Sequence, residues 1–147
     1  MEKLNYQDVV LTLNEFVEDI EGWPPYYIFD IYIGAAEESI GRIVFRCGSD
    51  NEHEFAGHIG YSIDEPYRGH YYAYQACLAL KQFILSLGYD HVLITCSPDN
   101  IASKKTIEKL GAEFVETKAI PNDLRKEFTV SETHKRIYYW QLQKETK

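Results

Sequence analysis

No window of this sequence approaches the length of unbroken apolar residues that a membrane-spanning helix requires, and Met1 to Asp8 lack a basic segment followed by an apolar one. A cytoplasmic protein with no membrane partner is expected. Basic residues are scarce: 15 Lys and Arg face 23 Asp and Glu, for a formal charge of -8. A sequence-independent grip on nucleic acid draws on Lys and Arg at phosphates, so no nucleic-acid partner is expected, and basic acceptors are mildly favoured. Cysteines number three, and Cys47, Cys77 and Cys96 lack metal-ligand spacing. Each sits in an apolar stretch where a thiol packs as a small hydrophobe, so no metal site is expected. There is no internal repeat and no low-complexity tract. What remains is 147 residues with 45% apolar content, enough for one good core and too short for two ordinary domains. A single domain over residues 1–147 follows.

The first half reads as a meander. Val9–Val17 is rich in β-formers, Gly22-Trp-Pro-Pro25 stops it, and Tyr26–Ile33 begins again. Ile40–Arg46 and His58–Ile63 supply two more strands, separated by the loop at Gly48-Ser-Asp-Asn51. After Gly69 the period changes. Ala73, Ala76, Cys77, Leu80, Phe83, Ile84 and Leu87 recur at three- and four-residue steps, one buried helical face, with Gly88 placed to close the helix. The continuous apolar run His91–Cys96 suits an interior strand. Ser97-Pro-Asp-Asn100 then offers capping side chains to a second helix ending at Gly111. Phe114–Ile120 and Lys135–Leu142 read as two final strands around the polar loop Pro121–His134. Most of the 12 tyrosines, together with Trp23 and Trp140, are expected to pack in the core or at its rim.

One segment carries chemistry. In Gly57-His-Ile-Gly-Tyr-Ser-Ile-Asp-Glu-Pro-Tyr-Arg-Gly-His-Tyr-Tyr-Ala73, a strand feeds a turn at Arg68-Gly69 that opens into a helix. The first turn of a helix leaves backbone N–H groups unpaired at the positive end of its dipole, so a pyrophosphate docks there without a dedicated cation. The plainer account is an ordinary turn and helix start at Arg68-Gly69, an N-cap at Asn100 and a surface hydroxyl at Ser103.

Taken with Asn100-Ile-Ala-Ser-Lys-Lys-Thr-Ile-Glu-Lys-Leu-Gly111, the segment Ile59–Ala73 resembles the GNAT superfamily of acyl-CoA-dependent N-acyltransferases, in particular the branch that acetylates N-termini of ribosomal proteins and various small amines. The resemblance implies an α/β (α+β) fold in which a mixed, mostly antiparallel central sheet is splayed at its middle strands and carries helices on its faces. It implies acetyl-CoA as co-substrate, with no metal, and an amine as acceptor. The family's phosphate motif falls on Arg68, Gly69, His70, Tyr71, Tyr72 and Ala73, with Tyr71 where the motif has its central glycine. The resemblance also has the main chain of Tyr61, Ser62 and Ile63 pairing with the pantetheine arm as an added strand. Asn100 and Ser103 match the family's pantetheine-contacting asparagine and the serine three positions on.

Amine attack on the thioester needs a base for the ammonium, an oxyanion donor and a proton for the leaving thiolate. A backbone N–H near the end of the His58–Ile63 strand serves the oxyanion. The tyrosine that many family members use as acid is replaced by Ile107, and the resemblance implies that the Ser103 hydroxyl, matching a serine of that branch, hydrogen-bonds the sulfur instead. For the base, His58 and Glu54 are best placed, with Asp64 third. The segment Glu18–Pro25 is too short for the two helices that wall the family's acceptor groove, so a wide opening is expected. Such an opening suits a protein N-terminus, a lysine or a bulky amine, with Asn122, Asp123, Glu127 and Glu132 attracting its charge. Two other readings stand beside the enzyme: a CoA-binding module that has lost turnover, and a structural subunit that dimerises through exposed tyrosines. The chain is expected as a monomer or a homodimer.

Overall fold

The computed structural model describes residues 3–18 and 20–143; Met1, Glu2, Asp19 and residues 144–147, which fall within the terminal and 18–25 segments considered above, lie outside the described residues. Five antiparallel strands run in chain order, β1 (Leu4–Tyr6), β2 (Val9–Val17), β3 (Tyr26–Ile33), β4 (Gly41–Arg46) and β5 (Ile59–Ile63). Helix α1 (Tyr72–Ser86) follows, then β6 (His91–Cys96), helix α2 (Ile101–Lys109), β7 (Glu113–Ala119) and β8 (His134–Gln141). The last three strands form a second sheet in the order β6-β8-β7, also antiparallel. The meander and the later strands stand as expected within a residue or so, and β1 is an addition. Three residues are too few to show a period of two, so β1 owes its existence to its pairing with β2.

Alternation along β3 and β4 explains the layers. Phe29, Ile31, Ile43 and Phe45 are fully buried beneath α1, whereas Arg42, Val44 and Arg46 turn to the opposite face. From α1, the apolar stripe Ala76, Cys77, Leu80 and Ile84 meets that inner face. Each large aliphatic so buried contributes about 1.5–3 kcal/mol of transfer free energy. Phe83 adds edge-on contacts to Tyr27 at 4.9 Å and Phe29 at 5.4 Å between ring centroids. Leu87, expected on this stripe, is 37% exposed because it is the C-cap; Gly88 follows with φ +95° and donates to Leu85 O. Trp140 is buried as expected, but Trp23 is 57% exposed, lifted from the core by the Gly22 turn before Pro24 and Pro25.

Among the described residues no helix is long and apolar enough to cross a membrane. Nor do they contain a group of three or more His, Cys, Asp and Glu arranged to hold a metal ion.

Candidate active site

The two sheets part between β5 and β6. Asp64 N–H donates to Ile40 O and Arg46 N–H to His58 O, which makes every second residue of β5, from His58 through Gly60 and Ser62, a hydrogen-bonded partner of β4. The main-chain groups of Ile59, Tyr61 and Ile63 therefore face away from β4, toward β6. Of the three residues expected to pair with a pantetheine arm, Tyr61 and Ile63 present backbone to that side. Ser62 instead spends its main chain on β4 and sends its side chain to the outer face.

The strands are pinned together at one end only. His58 N–H donates to Leu93 O at 2.8 Å, and Leu93 N–H donates to His58 Nδ1 at 2.9 Å. The imidazole thus replaces a backbone carbonyl as one rung between β5 and β6. Its other nitrogen, Nε2, donates to Gly48 O at 3.0 Å. With both nitrogens engaged, a side chain 1% exposed and a pKa lowered chiefly by burial, His58 is a neutral tie and not a base open to solvent. The expectation of a proton-abstracting His58 fails on this geometry, because its strand position pointed equally well inward. Gly57 permits the close approach beside it: at φ +79°, a Cβ there would stand 3.1 Å from Thr95 N and 3.2 Å from Leu93 O.

Beyond the pin, the Tyr61 hydroxyl reaches the Ser103 hydroxyl at 2.7 Å. Burial pushes the Tyr61 pKa well above its ordinary value, so the phenol keeps its proton. Ser103 is held from α2, where its N–H donates to Asn100 Oδ1 at 3.1 Å, and Asn100 is the helix N-cap. The capping role read for Asn100 is thus realised. Ile107 is fully buried in the core, so its position does not open toward the hydroxyl pair. Sequence reading missed the Tyr61 side chain because it valued that residue for its backbone. The signal available was alternation, which puts Tyr61 on the face of β5 toward α1 and α2.

At the head of α1 the chain departs from the expected direct opening of helix from turn. A short 3-10 turn, Glu65–Tyr67, precedes Arg68, and Gly69 has φ +89°. Tyr71 is the helix N-cap at φ +60°, ψ +28°, the left-handed region that favours glycine. The backbone at Tyr71 keeps the shape that the motif's glycine serves, at a cost of about 1 kcal/mol. Its ring, 51% exposed, lies under the Lys109 ammonium at 4.8 Å, with Tyr74 at 5.0 Å from the same nitrogen. His70 is exposed with its ring 5.4 Å from that of Tyr72, while Tyr72 is half-buried and Ala73 buried as the first residues of the helix. Arg68 folds back, its Nε donating to Ile63 O at 2.7 Å.

A cleft of about 1050 Å³ opens on the outer face of β4 and β5 and runs to the ends of β6 and α2. Tyr61, Ser62, Asn100 and Ser103 line it together with Glu54; His58, Asp64 and residues 68–73 do not. Glu54 is fixed by Lys118, whose Nζ donates to its Oε2 at 3.1 Å. Trp23 and Pro24 also line it, and among the described residues no helix intervenes between β2 and β3. From the 121–134 loop, Glu127 and Glu132 reach the cleft, but Asn122 and Asp123 do not. Glu132 is no free anion. Against the burial that would raise it, hydrogen bonds from Lys135, Thr129 N–H and Ser97 draw its pKa down to about 2. It clamps the loop to β8 and does not attract an amine.

The described cysteines are unpaired. Cys77 and Cys96 are buried, and burial pushes the Cys77 thiol up to about 12.

Three kinds of comparison bear on this arrangement. The chain has no significant match among curated proteins. Among solved structures it is similar to the Salmonella typhimurium acetyl transferase that modifies the N-terminal serine of the 50S ribosomal subunit protein L7/L12, with 20% identity, 82% of this chain and 64% of that one covered, and a TM-score of 0.61. It is similar to a probable GNAT-family acetyltransferase from Chromobacterium violaceum, at 12% identity over 95% and 86% of the two chains, with a TM-score of 0.67. The microcin C7 self-immunity acetyltransferase MccE, solved with acetyl-CoA and AMP, is 18% identical over 79% of this chain and 61% of its own, with a TM-score of 0.60. This chain therefore spans less than two thirds of the length of several neighbours. A family model described as acetyltransferase (GNAT) domain matches residues 5–113, most of the sequence and both motif segments up to Gly111. With the parted sheets and that match in agreement, the chain belongs to the GNAT acetyltransferase family.

Proposed function

We propose that residues 1–147 act as one N-acetyltransferase domain that moves an acetyl group from acetyl-CoA to a primary amine by direct attack in a ternary complex. The observation that carries the reading is the opening between β5 and β6, where Tyr61 and Ile63 offer main-chain groups as a strand edge. The MccE neighbour, solved with acetyl-CoA, supports the choice of co-substrate. The pantetheine amides pair with the main chain of Tyr61 and with the Ile63 N–H, the Ile63 carbonyl being held by Arg68, and the pyrophosphate sits over the N–H groups of residues 69–73. Asn100 holds the arm from the far side.

In the reaction the amine nitrogen forms a bond to the thioester carbonyl carbon, the carbon–sulfur bond breaks, and the sulfur leaves as thiolate. A β5 N–H donates to the carbonyl oxygen as its charge grows. Ser103 donates to the departing sulfur and is reprotonated through the Tyr61 hydroxyl, 2.7 Å behind it, by the second proton that the acylated nitrogen sheds, so the phenol ends the cycle protonated. Glu54 accepts the ammonium proton at the cleft wall. The open outer face suits a protein N-terminus, a lysine side chain or a bulky amine.

A second reading, a CoA-binding module without turnover, is favoured by Tyr71 in the glycine position and by the burial of Ile107. Thiol release with an amine panel separates the two. The enzyme liberates CoA and loses roughly 10²-fold or more in kcat as Glu54→Gln; a module gains thermal stability from CoA but releases no thiol with any amine.

A further inference from the structure

The outer face of β4 carries a cation without a counter-ion. Arg46 is half-buried and lines the cleft, and its guanidinium lies over Gly60 in the next strand. A Cβ at Gly60 would stand 2.7 Å from one of its terminal nitrogens and 3.3 Å from Cζ, so any larger residue would lift the group off the sheet. Nη1 is fixed by two carbonyls, Ala56 O at 3.2 Å and Gly57 O at 3.0 Å. Of the other charges around the cleft, Glu54 is paired with Lys118, Glu132 with Lys135, and Arg42 with Asp30 at the edge, whereas Glu52 and Glu127 line it without an ion pair among the described residues. Among the described residues no carboxylate stands within 4.0 Å of Arg46. The titratable groups near it are the Tyr26 phenol across the strand pair and His53, whose pKa burial lowers and which Arg46 lowers further. Neither neutralises it.

A guanidinium partly withdrawn from water and held rigid by two carbonyls is an expensive arrangement unless an anion meets it. Its planar donors match a carboxylate in particular. We infer that Arg46 receives a carboxylate of the acceptor, so that the preferred acceptors are amines that also carry an acid group, such as amino acids or acidic peptides. The inference rests on this cleft being the acceptor's groove. It makes Arg46 a specificity residue, with no part in the proton transfers assigned to Ser103 and Glu54.

Matched acceptor pairs test it: each amine offered once with a free carboxylate and once with the same carboxyl amidated. Wild type is expected to favour the carboxylate member by about 10-fold to 100-fold in kcat/KM, the range of a charge-assisted hydrogen bond. Arg46→Gln should erase the preference through KM, leaving kcat for the amide intact, and Arg46→Lys should restore part of it. Equal use of both members by wild type overturns the inference, as does a uniform fall in kcat for Arg46→Gln. Because the first comparison uses wild-type protein, poor folding of a variant leaves it decisive. If no amine is turned over, the transferase reading fails separately, and thermal shift decides for Arg46. A stabilisation by the acid member that the amide lacks, and that Arg46→Gln abolishes, supports it; equal shifts overturn it.

Discussion

The hydroxyls of Tyr61 and Ser103 stand 2.7 Å apart, one from the middle of β5 and one from the first turn of α2. They face each other where the two sheets have separated, so their contact spans elements far apart in sequence. If the pair protonates the leaving thiolate, removing either hydroxyl slows thiol release. Tyr61→Phe and Ser103→Ala are each expected to lower kcat roughly 10-fold to 100-fold, with the double variant no worse than the more affected single. CoA-induced thermal stabilisation should be unchanged in all three. An unaltered rate in Ser103→Ala would remove the serine from the mechanism.

His58→Ala is predicted to damage the fold and not the chemistry. It strands the Leu93 N–H and the Gly48 carbonyl inside the protein and opens a void, a loss of about 3 kcal/mol. Chemical denaturation measures that loss. The pH–rate profile of the surviving folded protein should keep every ionisation of wild type, and loss of one would return His58 to the list of bases.

At the head of α1, Tyr71→Gly relieves a left-handed backbone at the expense of the ring contact with Lys109. The strain is about 1 kcal/mol and the cation–π contact about 0.5–1 kcal/mol, so unfolding stability should shift by less than about 1 kcal/mol. CoA should bind more tightly, because the site no longer carries a side chain beside the phosphate donors. Calorimetric titration of the two proteins with CoA decides; weaker binding by the glycine variant would locate the phosphates elsewhere.

The histidines are expected to titrate in opposite directions. Burial lowers His91 less than the hydrogen bonds it donates to Asp50 at 2.9 Å and Asp90 at 2.7 Å raise it, so its pKa lies above 6.5. That contribution to stability is complete below pH 6.5 and fades as pH rises through the raised value. Burial lowers His53 and His58 below 6.5, so their contribution is complete above pH 6.5 and fades as pH falls through the lowered values. Imidazole proton shifts in NMR should show the two sets on either side of 6.5, with Asp50→Asn bringing His91 down. A His58 midpoint above 6.5 would contradict the buried rung.

Periodic signals were legible in the sequence. The α1 stripe, Gly88 at its end, the Asn100 cap and the strand limits all depend on residues near one another in the chain, where local sterics and hydrogen bonding decide. What escaped was decided across the fold. His58 reads the same on paper whether its ring meets solvent or bridges two strands; only the position of Leu93 settles it. Arg46 looks like one more strand residue until its side chain crosses diagonally over Gly60, the register partner of Val44. Tyr71 holds a conformation that its own identity disfavours, and Trp23 leaves the core for a cleft that exists only where no helix intervenes.

The tight contact at Gly57 also sets a length. Its Cα presses so near β6 that even a methyl group would crowd Thr95 N and Leu93 O, which gives the wedge between β5 and β6 a hard floor. If acetyl-CoA lies along β5 as proposed, that floor bounds the depth the two strands leave for its acyl end.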